Sequence, residues 1–193
     1  MRENHPYGTF IPKGCRSMII GSFPIGKFSH PDRSHEIKDH EIRFFFGGEK
    51  NLLWKLIGDT FGRKLSSKKD IVELLTEKNI GIGDVIKSCV RQNGGGSDKD
   101  LLEIEWNKEL LSVIKKHKIE RVFFTGKGVE KWFLKLFPEA HLEMITLVSP
   151  SAQSARALGK RPDFRAWRKK NPHTPVYEFI LISYKKAFNC IQN

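Results

Sequence analysis

Short, wholly apolar runs alternate along the chain with stretches in which apolar residues recur every three or four positions. Ser17-Met18-Ile19-Ile20, Ile80–Ile86, Arg121–Phe124, Glu143–Val148 and Val176–Ile182 read as buried strands. Helical spacing covers residues 50–61, through Leu52, Leu53, Trp54, Leu56 and Ile57, and ends near Gly62. Ser67 opens a second helix, with Asp70 three residues on as a variant capping box and Asn79 as its stop. Residues 100–117 predict a third helix through Leu101, Leu102, Trp106, Leu110, Val113 and Ile114. Thr125-Gly126-Lys127-Gly128 turns into a fourth, carrying Trp132, Phe133 and Leu136, and a fifth runs from Arg156 to Lys170. Residues 1–14 read as an irregular arm, 27–43 and 87–99 as polar loops, and 185–193 as a tail. Strands alternating with helices predict a three-layer α/β/α sandwich with a mostly parallel sheet of four to five strands. One domain is expected over 1–193: an arm to residue 15, a core over 16–185 and a tail over 186–193.

Within this pattern one stretch stands out: Phe44-Phe45-Phe46-Gly47-Gly48-Glu49-Lys50-Asn51-Leu52-Leu53-Trp54. Three consecutive aromatics, two glycines that permit a tight turn and an amide at a helix start could together hold a flat heterocycle. Equally, the aromatics could be core and Asn51 a helix cap. Gly21-Ser22-Phe23-Pro24-Ile25-Gly26 ends the first strand abruptly, at the edge where α/β sheets form sites. It has neither the GxGxxG nor the GK[ST] pattern of a nucleotide loop. Asp84 interrupts an apolar strand, where a carboxylate is costly unless paired or used; it could also end the strand and cap the next turn.

Composition narrows the partners. A formal charge of +12 over 193 residues attracts polyanions, although a basic surface also serves solubility. The cations of Arg156–Lys170 are nearly uniform in sign and follow the small, polar loop Ser149–Ser154, which favours contact with nucleic acid. Hydrophobic residues make up 39%, enough for a packed core, so global disorder is excluded. Cys15, Cys89 and Cys190 are scattered and odd in number, which predicts reduced thiols rather than a zinc site or disulfide framework. His30, His35 and His40 lie five apart and do not share a helix face, so no metal is expected. Met1–Pro6 has no apolar run of a secretory leader, and no stretch approaches the length of a membrane span. A cytoplasmic location is expected.

Taken in order, several of these pieces resemble the uracil-DNA glycosylase superfamily, most of all its hypoxanthine-DNA glycosylase-like branch, over roughly residues 16–185. Gly21-Ser22-Phe23-Pro24 resembles the first motif. Phe45–Trp54 resembles the branch's aromatic–glycine–Asn segment, Gly81–Cys89 the strand that reads the base edge, and Phe123–Lys127 a later strand. Ser149-Pro150-Ser151-Ala152-Gln153 sits at the second motif, a loop that enters the minor groove.

The resemblance implies a monofunctional DNA glycosylase of base-excision repair that hydrolyses the N-glycosidic bond of a flipped, deaminated base such as uracil or hypoxanthine. It implies stacking by Phe46 or Phe45, a carbonyl cradle at Gly21, Ser22 and Phe23, water positioning by Asn51 and base-edge acceptance by Asp84. Lys87, Arg91, Ser149, Ser151, Arg156, Lys160 and Arg161 would hold the DNA, and Gln153 would fill the vacated stack. It implies no cofactor, DNA as partner and a monomer. Two departures stand against it: Phe23 occupies the place of the usual first-motif Asp or Asn, and Ser149 that of the second-motif His. A non-catalytic nucleic-acid binder of the same fold is the alternative, and a hydrolase of free nucleosides a third.

Overall fold

The computed structural model describes residues 1–92, 96–151 and 155–191. Its elements, in chain order, are β1 (Arg2–Asn4), β2 (Ser17–Gly21), α1 (Gly26–Ser29), α2 (Leu53–Phe61), α3 (Lys68–Glu77), β3 (Ile80–Asp84), β4 (Ile86–Arg91), β5 (Leu101–Trp106), α4 (Glu109–Lys116), β6 (Arg121–Phe124), α5 (Lys127–Leu136), β7 (Glu143–Thr146), α6 (Ala155–Leu158), α7 (Pro162–Lys170) and α8 (Val176–Phe188). Four strands form a parallel sheet in the order β3-β2-β6-β7.

Side-chain alternation divides the core between the sheet's two faces. Ile19, Ile80, Ile82 and Phe123 join the buried residues of α2, α3 and α8 on one face. Met18, Ile20, Val122 and Phe124 join those of α4 and α5 on the other. The result is an α/β/α sandwich, as the sequence pattern predicts. Local chemistry fixes the helix ends. Ser67 and Asp70 form a reciprocal capping box on α3, and Gly62 closes α2 in the left-handed conformation at φ 69°.

A second sheet departs from expectation. It is antiparallel, ordered β1-β4-β5. The arm expected to be irregular contributes β1, whose Arg2, Glu3 and Asn4 face Val90, Cys89 and Ser88. Much of the expected 87–99 loop is strand β4. The apolar run from Ile80 divides at Val85, whose N–H donates to the Gly21 carbonyl. The helix expected over 100–117 starts only at Glu109, because Leu101–Trp106 pairs with β4 as a hairpin arm. An apolar residue every few positions fits either period over so short a run. A register irregularity and Glu103 at φ 46° further blur the alternation.

At the other end of the chain, Val176–Ile182 is not a strand but the first half of α8. Its buried Phe179, Ile180, Leu181, Tyr184 and Phe188 follow helical spacing and continue beyond the apolar run. α8 packs against α2, and the Tyr184 hydroxyl donates to the Val148 carbonyl at 3.1 Å. The cationic helix is two, with Pro162 starting the second. The 27–43 stretch holds α1 and a 3-10 turn at Pro31–Glu36, and the first helix begins at Leu53 rather than residue 50.

Candidate functional site

The parallel strands β2, β3 and β6 end on one cleft of about 760 Å³. Ser22, Phe23 and Pro24 line it after β2, Asp84 at the end of β3, and Thr125, Gly126 and Lys127 after β6. Ser149, Pro150 and Ser151 follow β7, and Phe44–Asn51 closes the opposite side through Phe44, Phe46, Lys50 and Asn51. This is where open α/β sheets place ligands.

Asp84 is the cleft's most unusual group. Its side chain is 3% exposed. One oxygen, Oδ2, lies 2.8 Å from Nε2 of His5. The His5 Nδ1 accepts the Tyr7 backbone N–H at 3.2 Å, so Nε2 carries the proton and donates to Asp84. The other oxygen, Oδ1, is buried with no hydrogen-bond partner among the described residues. A Cβ on Gly21 would collide with Oδ1 and with the tip of the Phe46 ring, so this glycine is what lets carboxylate and ring meet across the strand end.

The aromatic run divides between core and cleft. Phe44 and Phe45 are buried, and the Trp54 indole donates to the Phe45 carbonyl at 2.6 Å. Only Phe46 remains half-buried, held at φ 55° in the left-handed region. That strain is maintained by a turn in which Ile42 N–H meets the Gly47 carbonyl and Gly47 N–H the Phe44 carbonyl. Phe45 is therefore withdrawn as a stacking candidate, and Phe46 is kept. Asn51 Oδ1 accepts the Leu53 N–H at 2.9 Å in a turn that leads into α2, whose N-cap is Leu52, so the expected capping role falls one residue away. Asn51 also lines the cleft and forms an isolated antiparallel bridge with Ser151, while Leu52 N–H donates to the Pro150 carbonyl. The two loops expected at the site are thus joined backbone to backbone.

Over its full length the fold is shared with a known protein. A solution structure named "putative Uracil DNA glycosylase" from Methanosarcina acetivorans superposes with a TM-score of 0.62 at 17% identity, covering 100% of each chain. No protein-family model and no curated protein matches the sequence.

The predicted cations fare unevenly. Arg91 is buried: its guanidinium pairs with buried Glu3 at 3.2 Å and donates to the Pro24 carbonyl at 2.7 Å, so it braces the cleft from within and is not presented to a backbone. Lys87 is exposed but paired with Glu105 at 3.3 Å on β4, outside the cleft lining. Arg161 is engaged by Asp163 at 2.6 Å, and Lys160 is exposed beside it. Ser149 and Ser151 line the cleft. Gln153 and the Arg156 side chain lie outside the described residues. Among the described residues no cluster of three or more His, Cys, Asp or Glu could hold a metal ion, and no helix is long and apolar enough to cross a membrane.

Several site residues escape sequence reasoning. Exposed Lys50, Lys99 and Lys127 reach the cleft from three separate segments, Lys127 at the first turn of α5, whose N-terminal dipole adds to the positive rim. Asp98 brings a further carboxylate, accepting the Ser22 hydroxyl at 2.8 Å. It reaches solvent, yet the surrounding cleft wall raises its pKa, the Ser22 bond opposes that, and the charge of Asp84 adds to it. Glu41 anchors the closing loop: it is buried, takes Lys27 at 2.6 Å and accepts the backbone N–H groups of Lys38 and Glu49. Burial alone would raise its pKa, but these donors outweigh it and hold the carboxyl at about 2. His5 and Asp98 leave no local signal, because each meets its partner only through tertiary pairing across more than seventy residues.

Proposed function

We propose that the protein is a DNA glycosylase that takes a damaged, deaminated base out of the duplex and hydrolyses its bond to the sugar. The observation that carries this reading is the unpartnered, buried Oδ1 of Asp84, set at the strand-end cleft beside the Phe46 ring. A flipped heterocycle would stack on Phe46 and give a ring N–H or amino hydrogen to Oδ1. Flipping costs a few kcal/mol, which stacking, that hydrogen bond and backbone contacts near Ser22 and Phe23 would offset. Water held by the Asn51 amide would attack C1′. The base departs with the electron pair of the broken bond, and the proton lost by the attacking water neutralises the departed base, directly or through solvent. An amide orients water without being a base, which suits a reaction whose sugar is already cationic when water arrives. Lys50, Lys99 and Lys127 would neutralise phosphates, with Ser149, Ser151 and Lys160 flanking them.

Labelled oligonucleotides carrying uracil, hypoxanthine or xanthine, single- and double-stranded, test this. Abasic sites are expected from the native protein and at least hundredfold fewer from Asn51→Ala or Asp84→Ala. No excision from any substrate would overturn the reading. Each of Lys50→Ala, Lys99→Ala and Lys127→Ala is expected to reduce the slope of log affinity against log salt by about 1.

The engagement of Asn51 Oδ1 by the Leu53 N–H favours a second reading, a non-catalytic reader of the same fold. Salt-dependent binding of oligonucleotides with no abasic product is its outcome.

A further inference from the structure

The N-terminal arm carries no site signal in the sequence, yet it delivers the group that contacts Asp84. The arm is locked in register: β1 pairs with β4, and the His5 N–H donates to the Lys87 carbonyl at 2.9 Å. Glu3 reinforces it with a buried ion pair to Arg91 and a hydrogen bond from Ser29. The His5 side chain is 8% exposed, with its ring 5.2 Å from that of Phe45 and 5.8 Å from that of Phe23. Its Nδ1 is committed to the Tyr7 amide, which fixes the tautomer. One side of the Asp84 carboxylate is therefore permanently satisfied, and the other is buried and empty-handed. A buried acceptor in that state is stabilised by a donor and penalised by anything else.

We propose that His5 is a positioning residue that turns Asp84 into a one-sided acceptor, so that the cleft selects heterocycles presenting an N–H donor to Oδ1 and rejects the same ring when that nitrogen is methylated. That the ligand is a nucleobase rests on the glycosylase reading; the His5–Asp84 pair itself does not. Selection of this kind is strong because a methyl group would both block the donor and leave Oδ1 desolvated and unpaired.

The test uses the full chain and two pairs of free bases as probes: uracil against 3-methyluracil, and hypoxanthine against 1-methylhypoxanthine. Imidazole ¹⁵N–¹H spectra follow His5. The native protein is expected to give a protonated Nε2 and an unprotonated Nδ1, and the parent bases are expected to shift this signal with at least tenfold tighter binding than their methylated forms. His5→Gln, whose amide can still donate to Oδ2, is expected to keep most of the discrimination, and His5→Leu to lose it. Comparing the two variants separates positioning from folding, since either change removes the ring from the same packing. Equal binding of parent and methylated bases, binding of neither, or the Nδ1–H tautomer would overturn the inference. Discrimination without excision of any base would sink the glycosylase reading and leave this one standing. Excision of uracil and 3-methyluracil at equal rates would do the reverse.

Discussion

The two sheets of this protein divide the labour. The parallel sheet is the scaffold: β2, β3 and β6 are almost wholly buried, and the core packs on both of its faces. Its strand ends supply backbone, Gly21, Ser22 and Asp84. The antiparallel sheet is smaller and more exposed, with a short outer strand in β1 and a half-exposed one in β5, yet it contributes His5 from β1's end and Asp98 from the segment before β5. The apolar core gathers on the first, and the hydrogen bond to Asp84 comes from the second. The reactive edge of an α/β sheet can therefore be finished by residues that belong to neither its strands nor their loops.

Four experiments would break or sharpen that contrast. The largest effect is expected from the cores. Phe123→Ala empties a position stacked on Phe188 at 4.3 Å and should cost about 3–5 kcal/mol in denaturant unfolding. Glu3→Ala in the second sheet leaves the Arg91 guanidinium buried and unpaired and should cost a similar 3–5 kcal/mol. If Glu3→Ala proves nearly neutral, the second sheet is an appendage rather than a braced part of the site.

Next comes the loop that closes the cleft. Glu41 has its pKa lowered to about 2 by its donors, below the ordinary glutamate value of 4.5, so its contribution is complete above pH 4.5 and is lost as pH falls toward 2. The gap in stability between native protein and Glu41→Gln should be on the order of 3 kcal/mol at pH 7 and close by pH 2. A gap that does not narrow with acidity would show that the carboxylate charge is not what holds the loop.

Asp98 should matter less, and only for turnover. Asp98→Asn keeps the Ser22 contact but removes a carboxylate that shares the cleft with Asp84; kcat is expected to fall about tenfold, roughly 1.4 kcal/mol, with KM unchanged. A changed KM with constant kcat would make Asp98 a binding group. The smallest effect belongs to Lys87. Its exposed pair with Glu105 lies away from the cleft lining, so Lys87→Ala should change stability by under about 1 kcal/mol and leave the salt dependence of DNA binding as it was.

What the sequence discloses follows the same division. The parallel strands are legible because burial on both faces makes them continuous apolar runs, and Ser67 with Asp70, or Gly62, mark helix ends by local chemistry. Gly21, Asp84 and Phe46 stand out because each is a residue type out of place in its surroundings. The antiparallel strands are not legible: β1 is three residues long, and β5 is half-exposed with an irregular register. Arg91 looks like a surface cation until its buried partner, 88 residues away, is known. The apolar start of α8 satisfies strand and helix periods alike, and only its continuation to Phe188 decides between them.

The pairing of residue 5 with residue 84 also ties competence to completeness. Closing so long a loop carries an entropic cost that local contacts do not share, so the arm, like the still longer-range pairing of Ser17 with Arg121 in the parallel sheet, belongs among the non-local contacts of the fold. A chain whose second sheet has not yet zipped would hold Asp84 without its histidine. The molecule would then acquire its selective carboxylate only once its first residues have come home, which makes the finished cleft a report on the finished fold.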